Sequence, residues 1–527
     1  MKQAPETSFI WQCWYKTYVL VLLSFLPFLF YFLWGNHDWS WVKNETPLWS
    51  GVFEGRFSQF FLPVLLYNGK ILPIFSTATG LALYTFAAVL LFNLWNIPHK
   101  QGLIILLGLN LISAPYTLSW LYFAFITLSC LSWPCVIVCA FYILQKKVLP
   151  HWASLLLSTA LLIIALGGYP PVINMIGVIF FTLVLNDLCH NKLSLKSLLN
   201  KYISPIIVIT VSIILLLTIH HILKLYNLQY TTYNTAGINL LNIPQKLIFC
   251  LKESLYQFVF STSFISWKYK YIMLFFFVLA ILSLYIELPK RPLHITAFIL
   301  ILIGLLISSV LTTLIAENTA YVLHEPRVEF YSLPYIYIFS ALILLRSPYR
   351  FIKNLTVLLL LILSIYNLNT NANAAKVWQN GFKAETAFAE RFLKRLEIMP
   401  SFSPQTKKYT FIQGGNLNFR SRYYLPSAET RIDSYTLKAP YIPWHLPYKA
   451  YTFYYPETFI DNDFDTYWTL ITPNNLSLTP EVVEYISDKA VPWPHAKAIY
   501  MSDKDIILTL TSEGKGLAQS WLNKNMY

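Results

Sequence analysis

Apolar runs of about 20 residues, free of internal charge, recur along the first 370 residues. That is the length a helix needs to cross about 30 Å of hydrocarbon. Charged residues make up 12% of the chain and hydrophobic ones 56%, where a soluble domain carries about 25% charge. The expected class is a polytopic α-helical membrane protein. Eleven spans are predicted, at about 17–34, 72–96, 102–115, 121–144, 152–168, 170–186, 203–222, 271–288, 294–315, 333–345 and 354–369. The third, sixth and tenth are short.

Cations orient the chain. With the N-terminus in the cytoplasm, the inside segments hold Lys2, Lys16, Lys100, Lys146, Lys147, Lys192, Lys196, Lys201, Lys290, Arg291, Arg346, Arg350 and Lys353. The outside loops, about twice as long in total, hold fewer, as the positive-inside rule requires. Acids run the other way: Asp38, Glu45, Glu54, Glu253, Glu317, Glu325 and Glu329 fall outside. The net charge of +14 therefore belongs to membrane orientation. No Lys/Arg-rich run of the kind that binds a phosphate backbone is present, and no nucleic-acid partner is expected. The six cysteines have neither disulfide nor zinc-site spacing and read as apolar fillers. Thr17 to Trp34 is too long for a signal-peptide core and reads as a retained anchor.

The chain divides into a membrane domain, 1–370, with long outer loops at 35–71 and 223–270, and an extracytoplasmic domain, 371–527. After residue 370 the apolar runs stop and charges of both signs mix with Tyr and Pro. Phe388, Phe392 and Leu396 repeat at helical spacing. "YTFIQGG" reads as a strand. "TPEVVEYISDKA" reads as a helix with Thr479 as N-cap. "AIYMSDKDIILTL" reads as a hairpin. The expectation is a small α/β soluble module.

The first outer loop holds unusual polar density. "HDWSWVKNETPLWSGVFEGRFSQF" (37–60) packs three carboxylates, an arginine, a histidine and three tryptophans together. Leu48, Val52, Phe53, Phe57, Phe60, Phe61 and Leu65 stand near helical spacing, which predicts a helix lying in the interface. Trp39, Trp41 and Trp49 fit an aromatic belt. Asp38, Glu54 and Arg56 fit either a solvated rim or a reaction site. In the second case a carboxylate deprotonates an acceptor hydroxyl and a cation holds a departing phosphate. Arg327, between Glu325 and Glu329, is open to the same two readings: a local ion pair or a bidentate phosphate ligand. Tyr169-Pro170-Pro171 makes a tight turn that also lines the candidate site. His220 and His221 point about 100° apart on a helix and make a poor metal pair. The aromatic stretch at 441–456 is either a sugar-stacking surface or a domain core. No P-loop, Rossmann glycine pattern, HExxH or CxxC occurs, so soluble nucleotide chemistry is not indicated.

These residues carry a resemblance. "HD" (37–38), "GRF" (55–57), "ALGGYPPVINMIGVIFFTLVL" (165–185), "EPRVEFYSLPY" (325–335) and the exit segment 367–396 resemble the GT-C superfamily of membrane glycosyltransferases. They are most similar to the bacterial glucosyltransferases that decorate O-antigen and related surface polysaccharides. The family pattern has two adjacent acids, whereas here His37 precedes Asp38. The resemblance implies a GT-C-like fold and inverting transfer of a hexose, most simply glucose. The donor would be a polyprenyl-phosphate carrier within the membrane lipid, and the acceptor an extracytoplasmic glycan at a bacterial inner membrane. It implies Asp38 as general base with Glu54 as rival, and Arg56 and Arg327 as ligands of the donor phosphate. His37, Tyr169, Glu325 and Glu329 would line the site. No metal ligand is assigned, and a divalent cation is left open as cofactor. Two other functions stand beside this one: a surface-polysaccharide polymerase or ligase, and a lipid-glycan flippase without covalent chemistry. The flippase is disfavoured because no Asp, Glu, Lys or Arg falls centrally in a predicted span.

Overall fold

The computed structural model describes residues 4–30, 51–52, 55–97, 100–121, 124–146, 148–190, 193–228, 243–259, 267–289, 291–315, 326–403, 409–414, 459–460, 484–491, 494–501 and 505–509. The chain forms two compact units, the first ending at Lys376 and the second beginning at Val377.

The first unit is helical. In order it contains α1 (Ala4–Ser24), α2 (Leu26–Phe30), α3 (Phe61–Tyr67), α4 (Pro73–Leu94), α5 (Gln101–Ile112), α6 (Leu118–Leu121) and α7 (Ala124–Lys146). Then come α8 (His151–Gly168), α9 (Val172–Cys189), α10 (Leu195–Leu225), α11 (Ile243–Val259) and α12 (Trp267–Glu287). The unit continues with α13 (Pro292–Ser308), α14 (Thr312–Ile315), α15 (Pro326–Glu329), α16 (Leu333–Arg346) and α17 (Arg350–Glu397), which runs on past Lys376. Several helices begin where the sequence licenses it. Pro73 and Pro292 take the first turn of α4 and α13, where a missing N–H costs nothing. Ser194 caps α10 by accepting from the Ser197 amide.

Among the described residues seven helices are long and apolar enough to cross a membrane: α4, α7, α8, α9, α10, Lys268–Glu287 of α12 and Arg350–Lys376 of α17. The protein is a helical membrane protein of at least this many candidate spans. The pair Gln101–Ile112 and Pro115–Leu121 makes an eighth if it is one span bent by 45°. Of the other predicted spans, α13 and α16 are apolar but only 17 and 14 residues long. The first predicted span, 17–34, corresponds to α1 and α2, which begin at Ala4 and end at Phe30. Trp14 Nε1 and Tyr18 Oη tie α1 to α4 by donating to the Ala82 and Ala78 carbonyls. Helix α9 is the most enclosed of the seven, with 89% of its apolar window buried, against 22% for α10.

Side chains bond several backbone carbonyls around the 45° bend. Ser113 Oγ donates to the Leu109 carbonyl and Thr117 Oγ1 to that of Ile112. The Ser113 carbonyl accepts from Asn371 Nδ2 at 3.1 Å, and Asn367 Nδ2 reaches Ser113 Oγ. Ser119 Oγ donates to the Tyr116 carbonyl and Thr127 Oγ1 to that of Trp120. The Ser113 carbonyl at the break is thus served from α17, and the Trp120 carbonyl at the end of α6 from α7, which is how broken helices persist in apolar surroundings.

The predicted interfacial helix over the first loop is much shorter than expected. Among the described residues of this segment the α-helix is Phe61–Tyr67, and residues 48–50 and 53–54 lie outside them. Residues 57–60 form turns, and Gly55 stands at φ 75, a conformation open to glycine and strained for other residues. Apolar spacing suggested a helix, and the glycines at 51 and 55 break it.

In the second unit, Phe392 and Leu396 near the end of α17 are fully buried. Strands β1 (Tyr409–Gly414), β2 (Phe459–Ile460), β3 (Ile499–Met501) and β4 (Asp505–Thr509) form one sheet in the order β2-β1-β4-β3. The strand and hairpin read from sequence are present: β1 lies parallel to β2 and β4, and β3 is antiparallel to β4 with Ile499 opposite Leu508. In the segment read as a helix from Thr479, residues 479–483 lie outside the described residues, and Tyr485–Lys489 forms a single π turn. Residues 441–456 also lie outside them.

Candidate functional site

Two prolines expose the carbonyls on which the site is assembled. Helix α8 ends at Gly168 and is followed by Tyr169-Pro170-Pro171. Pro171 has no N–H to offer the Gly167 carbonyl four residues back. That carbonyl instead accepts from the Ser58 amide at 3.1 Å, while Ser58 Oγ donates to the Ile164 carbonyl. The Gly-Arg-aromatic element is thereby docked on the end of α8. Just before it, the Gly51 carbonyl accepts from the Arg56 amide at 2.8 Å and closes the turn. The far edge of the Phe57 ring abuts Gly167, where any Cβ would overlap it. The Arg56 guanidinium sits 5.4 Å from the centroid of the Tyr169 ring, within cation–π range.

In α7 the same device recurs. Pro134 lies inside the helix and cannot bond the Cys130 carbonyl. Tyr331 Oη donates to that carbonyl at 2.8 Å. The Tyr331 ring is 5.8 Å from Tyr169 and 6.0 Å from Trp120, and Trp120 meets Tyr169 edge-on at 5.0 Å. Phe330 joins the cluster through Trp120 and Tyr84. Burial pushes the Tyr331 phenol well above its ordinary range, so it stays protonated and serves as a donor. Arg327 is half-buried on α15, four residues before Tyr331. The Arg56 guanidinium thus lies against an aromatic floor, a polarity suited to an anion beside an apolar or sugar-like body.

The family described as Glucosyl transferase GtrII matches residues 44–345. This chain belongs to that family. No curated protein and no solved structure matches the chain.

For a GtrII-family glucosyltransferase, the notable result is which predicted residues meet. Arg56 and Tyr169 are in contact, and Tyr169 is joined through Tyr331 to the segment that carries Arg327 and Glu329. Glu329 is not at an open rim: its side chain is fully enclosed, with Oε1 3.5 Å from the equally buried Lys270 Nζ. His37, Asp38, Glu54 and Glu325 lie outside the described residues. Among the described residues, no group of three or more His, Cys, Asp or Glu side chains could hold a metal ion. Sequence reasoning missed Trp120, Tyr331 and Lys270 in this glucosyltransferase. Pro134 was the available signal for Tyr331, since a mid-helix proline advertises an unpaired carbonyl. Lys270 was counted only as an outer-loop cation.

Proposed function

We propose that this glucosyltransferase moves a hexose, glucose by its family, from a polyprenyl-phosphate carrier to an extracytoplasmic glycan such as O-antigen or another surface polysaccharide. The observation that carries the reading is the meeting of three distant segments, with Arg56 over Tyr169 and Tyr331 beside it. A guanidinium on an aromatic floor suits a phosphate joined to a sugar: the first pairs with the oxygens and the second stacks on the ring.

The acceptor's hydroxyl oxygen attacks the anomeric carbon on the face opposite the phosphate. The bond from that carbon to the phosphate oxygen breaks, and its electron pair leaves on the phosphate. Arg56 and Arg327 offset the charge that grows there. Asp38, or Glu54 in its place, takes the acceptor's proton, because an ionised carboxylate only accepts. The configuration inverts. The donor enters sideways from the bilayer. In this arrangement the N-terminus and the cation-rich loops are cytoplasmic, eleven spans cross the bacterial inner membrane, and a small α/β domain from about residue 371 is periplasmic.

The test is transfer by purified protein reconstituted in liposomes. Label should pass from a polyprenyl-phosphate-linked glucose to the glycan, one sugar per acceptor site. Equal transfer from a UDP-sugar with no lipid intermediate would overturn the donor assignment. Products of many added units would favour a polymerase.

A further inference from the structure

Lys270 and Glu329 are both wholly enclosed, with Nζ and Oε1 3.5 Å apart. Lys270 Nζ also donates to the Gln257 carbonyl at 2.9 Å. One ammonium therefore joins three elements: α11 through Gln257, its own helix α12, and α15 through Glu329. Glu329 sits two residues after Arg327 and two before Tyr331, so whatever fixes Glu329 fixes the short turn that carries both.

Such a pair is poor support for stability alone. Removing two charges from water costs more than their attraction returns unless geometry and further hydrogen bonds are good, and apolar packing of the same volume does as well or better. Enclosed charges in membrane proteins mark function more often than packing. The contacts that hold the two charges run to each other and to the Gln257 carbonyl.

We propose that Lys270 and Glu329 are positioning residues that hold the Pro326–Tyr331 turn so that Arg327 and Tyr331 face the donor phosphate; this rests on the donor reading above. Arginine recognises phosphate through a planar fork whose use depends on angle. The turn spans only six residues, of which Pro326–Glu329 make a single helical turn. An ionic anchor at Glu329 fixes one point in it, and the Tyr331 hydroxyl on the Cys130 carbonyl fixes a second. Arg327 lies on the α15 side of both.

The experiment uses the full-length protein in liposomes with polyprenyl-phosphate-linked glucose. Lys270→Met, Glu329→Gln, the double variant and the exchange Lys270→Glu with Glu329→Lys are compared for KM, kcat and thermal unfolding. A misplacement of about 1 Å costs on the order of 10²-fold. Lys270→Met should raise the donor KM by at least about tenfold within that bound, with acceptor KM unchanged. The double variant and the exchange should unfold near the wild-type temperature, because no charge is left buried alone. The exchange should recover donor affinity that the double variant lacks. Unchanged donor KM in a well-folded double variant would refute the positioning role. A fall in kcat for Glu329→Gln with donor KM intact would make Glu329 a catalytic residue instead. If the wild-type protein itself takes nothing from the lipid-linked donor, it is the donor reading that has failed.

Discussion

Gly167→Ala is the most direct probe of how the Arg56 element is held. A Cβ at residue 167 would fall on the Cζ, Cε2 and Cε1 atoms of Phe57, closer than carbon atoms can approach. The backbone cannot simply withdraw, because the Ser58 amide is bonded to the Gly167 carbonyl at 3.1 Å. The ring must swing, and Arg56 is its immediate neighbour in the chain. Overpacking of this kind costs about 1–3 kcal/mol. A shift of about 1 Å in Arg56 would lower transfer by on the order of 10²-fold. Phe57→Leu removes the colliding ring atoms at a modest loss of packing. Gly167→Ala combined with Phe57→Leu should therefore recover both stability and transfer relative to Gly167→Ala alone. The two changes should couple by at least about 1 kcal/mol in a double-mutant cycle. Thermal unfolding in detergent and labelled-sugar transfer in liposomes read the two effects. If the two substitutions prove additive, or if Gly167→Ala keeps full activity and stability, the docking of Phe57 on α8 does not position the arginine.

Other outcomes follow from the same geometry. Asp38→Asn should lower transfer by about 10²–10⁴-fold at normal protein level, whereas full activity in both Asp38→Asn and Glu54→Gln would end the catalytic reading of the first loop. Tyr169→Leu removes a cation–π contact worth about 0.5–2 kcal/mol and should raise the donor KM by up to about tenfold, in steady-state assays at fixed acceptor; no change would separate Arg56 from the donor. Arg327→Lys keeps the charge but not the planar fork and should weaken donor binding more than kcat, measured by the same titration. A phosphatase fused at residue 527 should be active on the periplasmic side, and activity confined to a cytoplasmic reporter would reject the eleven-span topology.

Much of the helical architecture was legible because a charge-free run of spanning length is a local signal. Helices α4 and α7–α10 stand close to where the runs lie, and the β3–β4 hairpin is where alternation puts it. What escaped was non-local. Nothing near Arg56 says that it meets Tyr169, more than a hundred residues away. Both segments were singled out by family resemblance, yet their contact depends on a carbonyl that Pro171 leaves open. Lys270 went unnoticed for a similar reason: nothing beside it in the sequence announces the distant Glu329 with which it is buried. The interfacial helix is present at Phe61–Tyr67 and gives way to turns at 57–60, just after Gly55 interrupts the apolar spacing.

The bend between Ile112 and Pro115 bears on how the site is used. A kink whose carbonyls wait for water can flex, because its bonding partners come and go. Here the Ile112 carbonyl is held by the Thr117 hydroxyl and the Ser113 carbonyl by Asn371 of the neighbouring helix, and flexing would require those bonds to open together in surroundings with no replacement. The joint is therefore a bracket rather than a hinge. Trp120 rides on its far arm, so the aromatic floor is in place before any ligand arrives. A donor entering from the bilayer meets a finished surface, and the motion that turnover demands falls to other segments of the chain.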